Sequence, residues 1–211
     1  MISLRAKVVL LVSLMTSGCV WFQTIPAESV GCDPDLVGLW ETTEDNERER
    51  IDIPSDCVIR DPKDPDSSET LKFRTFELDG VRYAAIEAGG PRKPGMQNRD
   101  SVGDWPQDRV MLFRYRIDGT RLSYWSADIN AALKIDRDDI VVHTTVEDLD
   151  GNPVSADVVR KLEPPYVDDV YLTGSRQALA AVLREHSNAL FSELDPKKAT
   201  VLFRVETEAH P

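Results

Sequence analysis

Two Asp-Gly dipeptides constrain this chain most, because each lies between two runs of strand-like residues. They are Asp79-Gly80, between residues 71–78 and 81–87, and Asp118-Gly119, between residues 110–117 and 120–126. Both residue types tolerate the positive φ angles that a tight hairpin turn requires. The sequence therefore predicts two β-hairpins in the middle of the chain and an antiparallel sheet built around them.

Strand patterns continue on both sides of the hairpins, and one helix follows late in the chain. Leu179, Val182, Leu183 and Leu190 form an apolar stripe at helical spacing, which predicts a helix over residues 176–191 with Ser175 as its N-cap. Further strands are predicted over residues 36–43, 48–53, 57–60, 140–147, 154–162, 167–173 and 199–207, and a helical turn over 129–133. The fold class is mainly β with one late helix, in which an antiparallel meander closes into a barrel or a strongly curled sheet.

The charge balance argues against one class of partner. The 211 residues include 37 acidic and 25 basic ones, for a formal charge of −12. An acidic surface repels phosphate backbones, so no nucleic-acid partner is expected. The 41% of hydrophobic residues is enough to build a core, which excludes a wholly disordered chain.

The N-terminus has the three parts of an export signal. Arg5 and Lys7 precede the apolar stretch 8–15, which is shorter than the ~20 residues that span a bilayer. Small residues at 16–18 then lead to Cys19. This pattern resembles the lipobox of bacterial lipoproteins. The resemblance implies that residues 1–18 are a signal peptide that is removed and that Cys19 is acylated. An ordinary secretory signal or a short N-terminal anchor is the alternative.

The lipoprotein resemblance also implies a location. A single acyl chain binds a membrane only weakly, so stable anchoring takes two or more chains, and the acylated cysteine of this family carries three. In the family, Asp directly after the cysteine favours the inner membrane. Val20 occupies that position here. The resemblance therefore implies the periplasmic face of the outer membrane, while the inner membrane and the cell surface stay open.

Two cysteines remain if Cys19 is acylated. In the oxidising periplasm, Cys32 and Cys57 are expected to form a disulfide, and two separate buried thiols are the alternative. Residues 20–35 contain prolines and little periodicity, which predicts a tether that follows the lipidated cysteine. Residues 36–211 would then form a single domain.

A second resemblance lies on the first predicted strand. Gly38-Leu39-Trp40 is similar to the Gly-x-Trp motif of lipocalins, which also place a helix late, before a closing strand. The resemblance implies a barrel whose closed end contains Gly38 and Trp40 under a basic side chain. Arg204, or another arginine late in the chain, could supply that side chain.

No catalytic or metal-binding motif accompanies this pattern. His143 and His186 lie on a predicted strand and on the helix, and His210 is near the end of the chain, but no nucleophile motif lies with them. Residues 147–152 are similar to the start of a calcium loop, yet Pro153 stands where such a loop needs Gly. We therefore expect no catalytic residues, no metal and no cofactor.

One long connection is unusual in composition. Residues 88–108 contain Gly and Pro with basic residues in an acidic protein, and they show no periodicity. Connections of this length are either functional or mobile. If the loop binds a partner, Arg92, Lys93 and Trp105 are the expected contacts.

These patterns predict a non-enzymatic lipoprotein that is anchored by lipid and faces the periplasm. Small barrels enclose cavities, so an apolar small ligand or an envelope protein is the expected partner. The alternative is an assembly or structural factor of the envelope that acts through residues 88–108. A hydrolase with a dispersed site is the weakest of the three hypotheses.

Overall fold

The computed structural model describes residues 19–44, 47–60, 70–87, 109–145, 154–159, 161, 167, 169–192 and 195–205. Within these ranges the chain is mainly β. The strands are β1 Cys19–Phe22, β2 Gly38–Glu44, β3 Glu47–Ile53, β4 Val58–Arg60, β5 Thr70–Leu78, β6 Val81–Glu87, β7 Val110–Asp118, β8 Arg121–Ser126, β9 Ile140–Thr144, β10 Asp169–Gly174 and β11 Thr200–Arg204. The helices are α1 Ile129–Leu133, α2 Ala156–Val159 and α3 Arg176–Leu190, with 3-10 turns at Pro34–Leu36 and Pro196–Lys198.

Both predicted hairpins are present, and their turns differ in type. Between β5 and β6, Asp79 and Gly80 have φ angles of 52° and 80°, the pattern of a type I′ turn. Between β7 and β8 the turn residues are Gly119 and Thr120, one position later than the sequence indicates. Gly119 has a φ of 59°, as the first turn residue of a type II′ turn does.

β7 is the branch point of a large sheet. The hydrogen-bonded order is β3-β2-β11-β8-β7-β1-β10-β9, and β7 also pairs with β6, which leads through β5 to β4. β8 pairs with the second half of β7, whereas β1 pairs with Val110 and Met111 at its start. β8 and β1 therefore share one edge of β7, while β6 occupies the other.

The sheet departs from the predicted antiparallel barrel in two ways. β1 runs parallel to β10, so the sheet is mixed. It is also not closed, since no ladder joins β3 to β4 within the described residues. Pro54, which cannot donate a ladder hydrogen bond, directly follows β3, and a turn follows in which the Cys57 amide donates to the Pro54 carbonyl at 2.9 Å. The chain is thereby redirected, and β4 pairs with β5 alone.

The segment for which the sequence predicts a tether is part of the fold. Residues 19–22 form β1, in which Val20 and Phe22 are 2% and 0% exposed. Gly31 exchanges two backbone hydrogen bonds with Thr75 of β5, at 2.9 and 2.7 Å. Alternate apolar residues thus dock the start of the segment, and this β-bridge holds its second half.

The Cys32–Cys57 disulfide is confirmed. The two Cα atoms lie 5.6 Å apart, within the usual range for a disulfide. It joins the segment before the first 3-10 turn to the turn before β4.

The helices follow the sequence signals with one exception. The Ser175 hydroxyl accepts a hydrogen bond from the Ala178 amide at 3.1 Å, which confirms the predicted N-cap of α3. The strand predicted over residues 154–162 is wrong for Ala156–Val159, which form α2. There the Ser155 carbonyl accepts from the amides of Val158 and Val159, closing a helical turn instead.

Two apolar clusters lie on opposite faces of the sheet. The larger one includes Phe22, Leu172 and Leu183 and lies between the sheet and helices α1 and α3. There the Tyr83 hydroxyl and the Ser187 hydroxyl, both buried, are 2.7 Å apart. The smaller cluster consists of Leu36, Trp40, Ile53, Cys57, Phe73, Tyr115, Leu122 and Leu202. Most of its residues come from β2, β3, β5, β7, β8 and β11, which are spread across the sheet. This face of the sheet therefore bends around the smaller cluster and is the concave face.

Candidate functional site

The concave face holds an apolar cavity of about 90 Å³. Among the described residues, every side chain that lines it is aliphatic or aromatic: Leu36, Ile51, Ile53, Ile59, Leu71, Phe73, Ala84, Ile86, Phe113, Tyr115, Leu122, Tyr124 and Leu202. Six of these residues are half-buried, namely Ile51, Ile59, Leu71, Ala84, Ile86 and Tyr124, whereas the others are buried. The half-buried side chains mark the mouth of the cavity, at the end of the sheet where β2, β4 and β6 end.

Alternation along the strands explains how the lining forms. Phe113 and Tyr115 belong to the alternating pattern that the sequence shows on β7, and both point to the concave face. Ala84 lies between Thr75 and Phe113 in the sheet register. Its methyl group leaves space that a larger side chain would fill. Sequence analysis missed Ala84, because a single Ala in a strand does not reveal which volume its neighbours leave free.

Gly38, Trp40 and Arg204 lie together where β2 pairs with β11. The Trp40 indole is fully buried and donates to the Leu36 carbonyl at 2.7 Å. The Arg204 guanidinium lies 4.5 Å from the centre of the Trp40 ring and donates to the Val37 carbonyl at 2.9 Å. Gly38 has a φ of 134°, and a Cβ atom there would lie 3.0 Å from Arg204 Nη1. A glycine at position 38 therefore suits both the backbone angle and the arginine.

A polar cluster lies beside Tyr115. The Tyr115 hydroxyl donates to Asp33 Oδ2 at 2.6 Å, and Arg82 Nη1 lies 3.4 Å from the same oxygen. Burial, together with the Asp33 carboxylate, raises the pKa of Tyr115 well above its ordinary value. The hydroxyl therefore stays protonated and hydrogen-bonded to Asp33. The tyrosine presents its ring, and not a reactive group, to the cavity.

Cys19 lies at the start of β1, beside Asp169 of β10. Its backbone amide donates to Asp169 Oδ1 at 3.0 Å, and the Trp21 indole donates to the same oxygen at 3.3 Å. Arg109 covers the Trp21 ring at 4.6 Å. Burial and the Asp169 carboxylate raise the pKa of an unmodified Cys19 thiol to about 11. Sequence analysis missed Asp169, because only the parallel pairing of β1 with β10 brings it to Cys19.

The other predicted residues do not join this site. Arg92, Lys93 and Trp105 lie outside the described residues, as does His210. His143 is exposed on β9, and its pKa is lowered by partial burial. His186 is half-buried on α3, with Nε2 at 3.9 Å from Glu185.

Within the described ranges, no three His, Cys, Asp or Glu side chains are grouped so as to hold a metal ion. No helix in those ranges is both long and apolar enough to cross a membrane. Comparison with protein-family models, with curated proteins and with solved structures finds no match for this chain.

Proposed function

We propose that this protein is a lipid-anchored, non-enzymatic envelope protein whose concave face binds the end of an apolar chain. The observation that supports an apolar ligand is the apolar cavity between Leu36 and the half-buried mouth residues. A small barrel or curled sheet can fill its interior with side chains. Here about 90 Å³ stays unfilled and opens at the mouth. An apolar group that enters the cavity gains free energy because its surface leaves water, at ~25 cal/mol per Å².

The size of the cavity limits the ligand. Pockets for whole drug-sized ligands measure about 300–1,000 Å³, and an engineered cavity of about 150 Å³ accepts benzene. At 90 Å³, the cavity accepts only a slender group, such as the end of an alkyl chain. Because the surface that faces the cavity is apolar, we expect the polar end of the ligand to stay at the mouth.

The anchor is proposed from the N-terminal sequence. Residues 1–18 resemble a lipoprotein signal, and Cys19 is then the acylated first residue of the mature chain. Loss of Arg5 and Lys7 takes the formal charge from −12 to −14, so electrostatic attraction to anionic lipid does not hold the chain at a membrane. We place the protein on the periplasmic face of the outer membrane, on the basis of Val20.

A lipocalin-like barrel is the finer form of the fold that we propose. Gly38-Leu39-Trp40, the cation–π contact of Trp40 with Arg204 and the helix α3 before the last strand support it. In this form, the open side between β3 and β4 would be a departure from a closed barrel.

Binding of 1-octanol tests the ligand. The probe is added to the chain carrying Cys19→Ser, which has no acyl group of its own, and saturation-transfer NMR follows the terminal methyl signal. We expect saturable binding that is about tenfold stronger than that of 1,8-octanediol, because the diol must bury a hydroxyl without a partner. Equal binding of the two compounds would show that the apolar cavity is not the site.

A pair of leucine substitutions supplies the matched control. Ala84→Leu places three additional heavy atoms of side chain where the cavity now lies and should abolish 1-octanol binding. Lys72→Leu adds the same side chain at an exposed position of β5 and should leave the affinity unchanged. Retained binding in the Ala84→Leu protein would contradict the proposal.

A further inference from the structure

β9 forms one end of the sheet. Within the described chain it pairs with β10 on one side and with no strand on the other. An edge strand of this kind presents a row of backbone groups that a second chain can pair with. The backbone groups, exposure and charge on the open side of β9 therefore decide whether another strand can pair with it.

The register shows which backbone groups face outward. The Thr145 amide donates to the Asp169 carbonyl at 3.3 Å, and Thr144 lies opposite Val170. In an antiparallel pair, residues alternate between pointing their N–H and C=O groups at the partner strand and pointing them away. The backbone N–H and C=O groups of Val142 and Thr144 therefore point away from β10. Thr144 is only 6% exposed, and its hydroxyl donates to the Val154 carbonyl at 3.3 Å, whereas Val142 is half-buried. Val142 is therefore the residue of this pair whose outward groups a second chain can reach.

A groove of about 440 Å³ runs along this edge. All five β9 residues line one wall, residues 154–157 line the opposite wall, and Asp136 and Arg137 lie at one end. Neighbouring strand residues point to opposite faces, so a groove lined by all five follows the edge of the strand and not one face. Five strand residues span about 16 Å, which is the length of a short extended segment.

The edge of β9 lacks the protection that β3 has at another end of the sheet. β3 carries exposed charges at Arg48, Arg50 and Asp52, and charges of this kind block strand addition. β9 has the sequence Ile-Val-Val-His-Thr, and Val141 is 56% exposed. Partial burial lowers the pKa of His143, which favours its uncharged form at neutral pH.

The charge around the groove indicates the kind of segment that it fits. Asp136 and Asp157 line the groove, and Asp138 is exposed nearby. The one cation among the described lining residues, Arg137, is already paired with Asp139 at 2.9 Å and also with Glu185. We propose that the open edge of β9 binds an extended segment of a partner protein that carries lysine or arginine, by adding it as a further strand. This site is separate from the concave face and does not depend on a ligand there.

A peptide pair tests the backbone pairing. The probe is a rhodamine-labelled peptide of about seven alternating lysine and valine residues, long enough to span β9, and fluorescence anisotropy measures its binding to the full chain. The buffer contains about 0.15 M salt, which limits charge effects to about 8 Å. We expect the same peptide with alternate N-methylated amides to bind about tenfold more weakly, because it cannot donate to the edge. Equal affinity of the two peptides would overturn strand addition.

Substitutions locate the site. Val142→Pro removes an outward-pointing donor and leaves the ladder to β10 intact, so the chain should fold and peptide binding should fall about tenfold. Asp136→Lys should weaken binding, whereas Asp52→Lys, which makes the same charge change on β3, should have little effect. Circular dichroism and the urea midpoint verify folding. If Val142→Pro does not fold, the peptide affinities of Asp136→Lys and Asp52→Lys locate the site. Equal affinities of these two variants for the peptide would overturn the proposed site.

Self-association is the competing outcome. Two β9 edges could pair with each other and form a dimer. Sedimentation velocity of the full chain would then show a concentration-dependent dimer that Val142→Pro abolishes and that the peptide does not dissociate. That result would overturn binding of a partner segment, while a monomer that binds the peptide supports it.

Discussion

Arg204 ties the last strand to the first long strand. Its guanidinium covers Trp40 and donates to the carbonyls of Val37 and Asp35. We expect Arg204→Ala to lower the free energy of unfolding by about 2–4 kcal/mol, because a cation–π contact is lost and partly buried carbonyls lose a charged donor. Urea unfolding followed by tryptophan fluorescence measures the loss.

Two further arginine variants separate this contact from a general effect of charge. Arg121 is exposed on the neighbouring strand β8, and Arg121→Ala should change the free energy of unfolding by no more than ~0.5 kcal/mol. Arg204→Lys retains the charge but lacks the planar fork, so its stability should fall between the native protein and Arg204→Ala. Equal losses for Arg204→Ala and Arg121→Ala would refute the specific role of the contact.

The same residues show what a motif can predict. Gly38-Leu39-Trp40 indicates a tryptophan at the end of a strand under a basic side chain. It does not identify Arg204, because the contact depends on the pairing of β2 with β11, in which Arg204 lies opposite Trp40. No local pattern determines a register between strands that are so far apart in sequence.

Among the elements, the Cys32–Cys57 disulfide fixes the segment that precedes β2 to the turn before β4. Cys57 has a φ of 53°, in the left-handed region that disfavours side chains. We expect the double variant Cys32→Ala/Cys57→Ala to lose about 3–4 kcal/mol of unfolding free energy, as the chain-entropy model gives for a sequence separation of 25 residues. Chemical denaturation of the two proteins measures the difference.

A glycine variant refines this expectation. Cys32→Ala/Cys57→Gly lacks the same disulfide but relieves the left-handed backbone at position 57. It should be about 1 kcal/mol more stable than the double alanine variant. If the double alanine variant is as stable as the native protein, the disulfide does not hold this segment in place.

The elements that the sequence predicts well are those with local signals. The hairpin at Asp79-Gly80 follows from the turn residues themselves, and α3 follows from Ser175 and the apolar stripe behind it. β1 has only four residues and lies among small and polar residues, so nothing local distinguishes Val20 and Phe22 from a tether. Its place between β7 and β10 is determined by strands about 90 and 150 residues away in sequence.

The cavity was predictable in kind but not in size. Alternation on β7 indicates that Phe113 and Tyr115 face one side of the sheet. The volume depends on how side chains from seven strands fill a shared space, and small changes in packing decide whether any space remains. That Ala84 leaves cavity volume free can therefore be recognised only in the assembled sheet.

On the scale of the whole molecule, β1 belongs both to the proposed anchor, through Cys19, and to the sheet. Acyl groups on Cys19 would leave from the end of β1 without a tether, so we expect the domain to lie directly against the lipid surface. The raised pKa of the docked thiol makes it a weak nucleophile, so acylation is expected before β1 joins the sheet. Val20 is a core residue as well as the proposed sorting position, and Val20→Asp would therefore disrupt packing as well as sorting.

Cys19→Ser, rather than Val20→Asp, is the variant that tests the anchor. It is expressed behind an ordinary cleavable secretory signal in place of residues 1–18, so that no apolar stretch remains as an anchor. We expect the acidic mature chain to appear in the soluble periplasmic fraction, because neither lipid nor attraction to anionic headgroups retains it. The native protein should stay with the membranes, and mass spectrometry of its N-terminal peptide should show acyl groups on Cys19. Retention of the Cys19→Ser chain on membranes, or an unmodified Cys19 in the native protein, would refute the lipid anchor and leave the cavity and the β9 edge to be tested on their own.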